Sequence, residues 1–398
     1  MPNFPMSFLI LTAMSSPIAI NILLPALPSI AKQLNVDISL VQLSYSLYLC
    51  SLAFGQLLVG GIVNHLGNRR TMLLGLVSFT LGSAVAGGFG SIESLLLGRI
   101  MQGLGGAITM SLARALLVDG VGKDKASQKM GYIIMAIAIA QSIAPLIGGS
   151  INSTLGWQVI FSISLLQGSL LFLLTLKYVP HQDQGHKKPS FKENISLYGE
   201  LLKAKEFRTY TTASTLVAIC FYIFVSSSPY LTDGFIGGVH AYGYWFISIS
   251  IAFMAGGYLS TVINRHLVLD KTILIGNLIS LLGALLLLLG QLWINDSYAT
   301  LFLPMCLITL GRGISQPSNQ SAAIGSITSQ SSMAAGLMGF LQLICGAVFS
   351  QFIPLIVTTV PLLVFILIAV CMSLAVWIHA AHYAGTDRQL NIPNKHSV

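Results

Sequence analysis

The sequence predicts an all-α polytopic membrane protein, with twelve transmembrane helices in two pseudo-symmetric six-helix bundles. Three observations predict it. Of the 398 residues 54% are hydrophobic and only 8% are charged, with a mean hydropathy of +0.80. That is too little polar surface to cover a soluble globule, so a lipid bilayer is the natural solvent. A spanning helix takes about 20 apolar residues. Twelve such windows can be placed, at residues 7–28, 41–63, 72–90, 95–118, 130–151, 158–178, 209–231, 243–263, 272–293, 299–322, 334–356 and 361–383. One long polar break, Pro180 to Arg208, separates the first six from the last six. Six plus six around one linker is the hydropathy pattern of an internally repeated transporter. The predicted units are 1–180, a linker at 181–208, and 209–398 with a short tail.

The first window begins within ten residues of Met1, and no Lys or Arg stands between Met1 and Ser7. A secretory signal needs basic residues there, so this window is expected to remain as a span. Basic residues follow span two (Arg69, Arg70), span four (Lys123, Lys125, Lys129), span six (Lys187 through Arg208) and span eight (Arg265, Lys271), and recur in the tail (Arg388, Lys395). The opposite turns hold only Lys32. The positive-inside rule therefore places both termini in the cytoplasm of a cell whose inner (plasma) membrane holds the protein. The net charge of +8 belongs to loops facing anionic lipid, and no nucleic-acid partner is expected. In the linker, Phe191, Ile195, Leu197, Leu201 and Leu202 recur at helical spacing, which predicts an amphipathic helix on the membrane surface. Gly60 to Asn64 ends span two and Gly257 to Asn264 ends span eight, a faint internal repeat.

Cys50, Cys220, Cys306, Cys345 and Cys371 all fall in predicted spans, where packing is their expected role; no disulfide, metal or cofactor is expected. An enzyme would need a nucleophile, metal ligands or paired carboxylates facing a cavity. No HExxH, GxSxG or acid pair occurs at membrane depth.

The charges inside the spans point to function. Arg99 stands in Leu95–Ala107, LLLGRIMQGLGGA, and an intramembrane arginine costs at least a few kcal/mol unless something uses it. Two roles fit: hydrogen bonding to backbone carbonyls or Gln102, or membership of the transport machinery. Arg312 lies roughly 20 Å into span ten at 1.5 Å per residue, close to the midplane. Around it Gly311–Ser321, GRGISQPSNQS, sets Gln316, Ser318, Asn319 and Gln320 beside a proline and two glycines. A broken polar helix at the midplane is the setting of a substrate site, or else a polar interface between helices. Arg114, about a turn from the inner surface, snorkels or pairs with Asp119. None of the twelve acidic residues lies in the middle of a predicted span. Arginines without carboxylates attract anions, to which the guanidinium fork is suited.

Several segments resemble the major facilitator superfamily. The segment GGIVNHLGNRR, Gly60–Arg70, is similar to its signature loop between spans two and three. Leu23–Leu34, Val41–Leu57, Leu97–Ala107, Ala113–Asp119, Ala144–Phe161 and Gly336–Ser350 together resemble the bicyclomycin/chloramphenicol-resistance branch of its drug:proton antiporters. The resemblance implies that Gly60, Asn64, Gly67, Arg69 and Arg70 form a conformational latch with Asp119. Here Asn64 stands for an acidic residue, Asn68 for a basic one and His65 takes another basic position. Neutral partners weaken such a latch; alternatively these charges only set topology. In span five Gly131, Ala138, Ala144, Pro145, Gly148 and Gly149 are similar to the antiporter signature, with Ala144 replacing a glycine and Pro145 bending the helix.

The branch usually carries a proton-binding aspartate in span one, where this chain has Asn21, which does not titrate near neutral pH. Family packing implies that Asn21 meets Arg99. It also implies a cavity between the halves, for which Gln42, Tyr45, Tyr48, Gln102, Gln141, Tyr222, Gln316, Asn319 and Gln342 are candidates. The expected partners are a small-molecule substrate, protons as coupling ion and the bilayer, and the expected working form is a monomer. The expected activity is efflux of drug-like or metabolite compounds by alternating access of the two bundles. The alternative is transport of an anionic metabolite, polycarboxylate or siderophore-like, through the intramembrane arginines with atypical or no proton coupling.

Overall fold

The computed structural model of the chain describes residues 4–121, 123–180, 198–233, 235, 238–293, 297–325 and 331–390. A chain inside a bilayer must satisfy its backbone polar groups within each segment, so long apolar runs become helices. Among the described residues twelve helices are long and apolar enough to span: α1 Met6–Leu34, α2 Ile38–Val59, α3 His65–Gly88, α4 Ile92–Leu117, α5 Ala136–Leu155, α6 Gln158–Tyr178, α7 Lys205–Leu231, α8 Ala241–Ile263, α9 Leu269–Trp293, α10 Tyr298–Ala323, α11 Gly336–Thr359 and α12 Pro361–Ala384. Each overlaps one predicted window. Faces turned away from the core, such as Leu166, Leu173, Leu282 and Leu289, are exposed and suit lipid.

Three local features differ from the expectation. The first span is not continuous. Its helix stops at Asn21, a single 3-10 turn occupies Leu24–Ala26, and a short helix resumes over Leu27–Leu34. Pro25 and Pro28 have no N–H for the preceding turn and sit where helices begin, which explains the break. The Gly60–Arg70 segment is not a loop: the backbone is helical through Ile38–Gly88 except at Gly67 (φ 78°, ψ 165°). The amphipathic linker helix lies mainly outside the described residues. Its described end, 198–203, is helical, and Leu201 is buried with Phe207, Ile273, Leu337 and Met338 at the ends of α7, α9 and α11 rather than on lipid.

Within the first bundle α1 packs on α4, α5 and α6, and α3 on α4; in the second, α7 packs on α10, α11 and α12, and α9 on α10 and α12. The bundles meet mainly through α2 with α11 and α5 with α8. Since α8 and α11 are the second-half counterparts of α2 and α5, the two contacts exchange under the pseudo-two-fold. Small residues set the approach. A Cβ added to Gly148 of α5 would overlap the Ile22 carbonyl at the break in α1, and one on Gly98 of α4 would come within 2.6 Å of Ala86 in α3.

The side away from the termini is closed. Lys32 at the end of α1 pairs with Asp233 after α7 (3.2 Å), Tyr230 donates to Gln42 (3.1 Å), and Gln351 donates to the Ser39 carbonyl (3.0 Å). Beneath them Phe224, Tyr242, Trp245 and Tyr298 pack around Phe302. On the terminus side α2 and α11 touch through Phe54 and Phe340, edge to face at 5.4 Å, while Arg114 and Gln320 are exposed.

Candidate functional site: a cavity between the bundles

Arg312 is aimed by the glycines on either side of it. Gly311 presses α10 against Gly276 and Ser280 of α9, and Gly313 presses it against Phe253 and Gly256 of α8. With two neighbours held that closely, the arginine side chain is left facing the space between the bundles. Its Nε donates to Gln316 Oε1 one turn on (3.0 Å), and its guanidinium lies 4.3 Å over Phe221 and 5.4 Å from the ring centre of Phe253. Aromatic faces attract a cation without neutralising it. Gln316 is its one hydrogen-bond partner among the described residues.

That space is a cavity of two lobes, about 180 and 270 Å³, sharing Met110, Arg114, Tyr222, Arg312 and Leu343. The deeper lobe reaches Ser16, Pro17 and Asn21 of α1, Tyr45 of α2 and Gln141 of α5. The other, nearer the termini, reaches Gln56, Gln316, Gln320 and Gln342. No Asp or Glu is among these lining residues. The arrangement offers amide and phenol hydrogen bonds, aromatic faces and two guanidinium groups.

Of the predicted binding residues, the structure brings Asn21, Tyr45, Gln141, Tyr222, Arg312, Gln316 and Gln342 to this cavity. Asn21 does not meet Arg99 by hydrogen bond; its amide donates to the Pro17 carbonyl (2.8 Å), which folds it along α1. Arg99 is fully buried within the first bundle. It donates to the Ala19 carbonyl (2.9 Å), the Ser44 carbonyl (3.4 Å) and Gln102 (3.0 Å), with its guanidinium 4.1 Å over Tyr48. Gln102 in turn donates to Ser83 (2.7 Å). Arg99 therefore ties α4 to α1 and α2, the interhelical role that the sequence left open. Tyr48 is bonded to Ser16 (2.8 Å), Gln42 belongs to the closed side, and Asn319 is 1% exposed with neither amide atom bonded among the described residues.

Of the predicted gating residues, Gly67 has the positive φ noted above, and Arg69 donates to the Leu176 carbonyl at the end of α6 (3.0 Å). Arg70 is exposed, and Pro145 is buried in α5 one turn before Gly148. The side chains of Asn64 and Asp119 and the surroundings of Gly60 lie outside what is described, so the Arg–Asp119 pairing does too.

Sequence reasoning missed Gln56, Met110 and Arg114 as lining residues. Met110 and Arg114 stand four apart, on one face of α4, a signal that was present. A second signal was a repeat. Leu97-Gly98-Arg99 with Gln102 three on matches Leu310-Gly311-Arg312 with Gln316 four on. Gly98 backs onto Gly82 and Ala86 of α3 as Gly311 backs onto Gly276 and Ser280 of α9. The two arginines are counterparts, one sealed and one open.

The sequence profile of the Major Facilitator Superfamily matches residues 9–350. Over 354 residues, 87% of each chain, this one is 27% identical to the uncharacterized MFS-type transporter YdgK of Bacillus subtilis. It is 29% identical over 252 residues, 63% of each, to a bicyclomycin resistance protein homolog of Haemophilus influenzae. To the chloramphenicol resistance protein CraA of Acinetobacter baumannii it is 25% identical over 313 residues, 78% of this chain and 76% of that one. The solved structure of a D-xylose-proton symporter superposes with a TM-score of 0.76 at 14% identity, covering 94% of this chain and 96% of that one, a likeness of fold.

Proposed function

The chain belongs to the Major Facilitator Superfamily, as a membrane-spanning transporter and not an enzyme, and from that premise we propose that it exports drug-like or metabolite small molecules from the cell. The observation that carries the reading is the cavity between the bundles, reached from the terminus side and sealed on the other by Lys32–Asp233 and Tyr230–Gln42. If the basic turns lie in the cytoplasm, this is the loading state of an exporter. Similarity to bicyclomycin- and chloramphenicol-resistance proteins supports the direction and the class of cargo. The moving bodies are residues 1–180 and 209–398, joined by the 181–208 linker and rocking about the contacts of α2 with α11 and α5 with α8. Among the described residues the cavity offers no carboxylate for exchange with protons, Asn21 standing where the branch resembled above usually has an aspartate; antiport needs a titrating group elsewhere.

The test is accumulation of chloramphenicol and bicyclomycin in an efflux-deficient host with and without the protein. Expression is expected to lower steady-state accumulation of at least one of them, with Arg312→Ala abolishing the effect at equal membrane abundance. Unchanged accumulation of both would remove the drug-export reading.

A further inference from the structure

The charge of what the cavity accepts can be read from its walls. Resting on the reading that small molecules pass through this cavity, we infer that it selects compounds carrying an anionic group, a carboxylate or a phosphate, held between Arg312 of the second bundle and Arg114 of the first. Both guanidinium groups line both lobes, and they stand on different bundles. Arg312 spends one donor on Gln316 and leaves the rest of its fork to the cavity. Arg114 is exposed to the same space and has no hydrogen-bond or ion-pair partner among the described residues.

Among the described residues nothing on the walls compensates them; the side chain of Asp119, five residues after Arg114, lies outside that set. The lining holds no Asp or Glu, and among the described side chains of the whole chain Asp270 is the one carboxylate that is not exposed. Asp270 is committed elsewhere, accepting from Tyr210 (2.8 Å) with His379 at 3.8 Å. Arg99 shows what this fold does with an arginine it uses only to hold helices together: two carbonyls, a glutamine and an aromatic face engage it, Nη2 alone has no partner among the described residues, and it is not among the residues lining the cavity. A charge at membrane depth that faces a cavity with no counterion among the described residues, as Arg312 does, marks a site where the ligand supplies the counterion. Guanidinium matches carboxylate and phosphate in two-point geometry.

The placement on opposite bundles adds a mechanism. Bringing the terminus-side halves together on an empty cavity drives two like charges toward each other in a medium of low dielectric. An anion between them reverses the sign of that interaction, so closure on the terminus side is favoured by loaded cargo. A lipophilic cation makes closure harder.

The experiment uses compounds matched on one scaffold, added to the purified full chain in detergent, with the melting temperature as readout because a ligand of the folded state raises it. The probes are 2-naphthoate, 2-naphthyl phosphate, 2-naphthamide and 2-naphthylmethylammonium. At least one of the two anions is expected to bind tenfold or more tightly than the amide, with the ammonium compound producing no shift. Which anion binds more tightly decides between carboxylate and phosphate. Arg312→Gln and Arg114→Gln are each expected to weaken the preferred anion at least tenfold, while Arg312→Lys keeps the order of the four compounds. Ammonium binding equal to or tighter than both anions overturns the inference, as does absence of any shift with both anions. The wild-type ranking needs no variant to fold. Export of chloramphenicol without anion binding removes the anionic class and leaves the export reading; anion binding without drug export does the reverse.

Discussion

Arg99 and Arg312 carry the same local sequence and are put to opposite uses. Removing Arg99 strips hydrogen-bond donors from the buried Ala19 carbonyl and Gln102, at about 1–3 kcal/mol for each group left unsatisfied, while the Ser44 carbonyl keeps its helical bond. Arg99→Ala is therefore expected to lower the melting temperature strongly, with ligand affinity of the folded fraction unchanged. Arg312→Ala is expected to do the reverse, since Gln316, its one hydrogen-bond partner among the described residues, lies beside the accessible cavity. Thermal unfolding with ligand titration on both variants checks the pair, and equal loss of affinity in both would overturn the division. At this scale the sequence showed which residues are costly in a bilayer, and Arg312 with its amide neighbours was legible from depth alone. Which wall each side chain faces was not. Depth is a coordinate along the axis, whereas access to the cavity depends on the angle around it, which the glycine contacts of α10 and α4 set.

Helices were legible as composition, not as torsion. Hydropathy placed all twelve spans because the bilayer asks only for length and apolarity. The same measure is blind to the break after Asn21, although Pro25 and Pro28 announced it, and to the single interruption at Gly67. Gly67 sits in a region of backbone space reached essentially by glycine alone, where another residue costs about 1–3 kcal/mol. Gly67→Ala is expected to destabilise the protein by that amount and reduce transport, whereas Gly88→Ala, with nothing within 4 Å of an added Cβ, is expected to be near neutral. Melting temperatures of the two variants, measured side by side, check this; a Gly67→Ala protein as stable as wild type would count against it.

Over the whole molecule, what seals one side is modest. Lys32 and Asp233 are 73% and 54% exposed, and a lone exposed pair is worth about 0–1 kcal/mol. The Tyr230–Gln42 bond is partly buried, but Gln42 Nε2 has no partner among the described residues, so that contact is half satisfied. A closure held by so little is one that reverses. The double variant Lys32→Ala/Gln42→Ala is expected to shift the population toward opening on this side at little cost in stability. Spin labels on Gln33 and Thr359 are expected to report longer distances than in wild type, and an unchanged distribution would place the seal in the remaining cross-bundle contacts, the Gln351–Ser39 bond among them. The two-bundle plan was legible from the polar break and the count of spans. The conformation was not, because both states of a transporter share one sequence and one hydropathy profile.

The glutamines that line the cavity have one more consequence. Gln316 and Gln342 are held by Arg312 and Ser214, but Gln56, Gln141 and Gln320 have no hydrogen bond among the described residues. A primary amide carries donor and acceptor on opposite corners of one plane, and a half-turn of its terminal bond swaps them at almost no steric cost. Three such groups let one rigid wall answer guests whose polar atoms are arranged differently, with no helix having to move. The lining is strict about electrical sign and lenient about pattern.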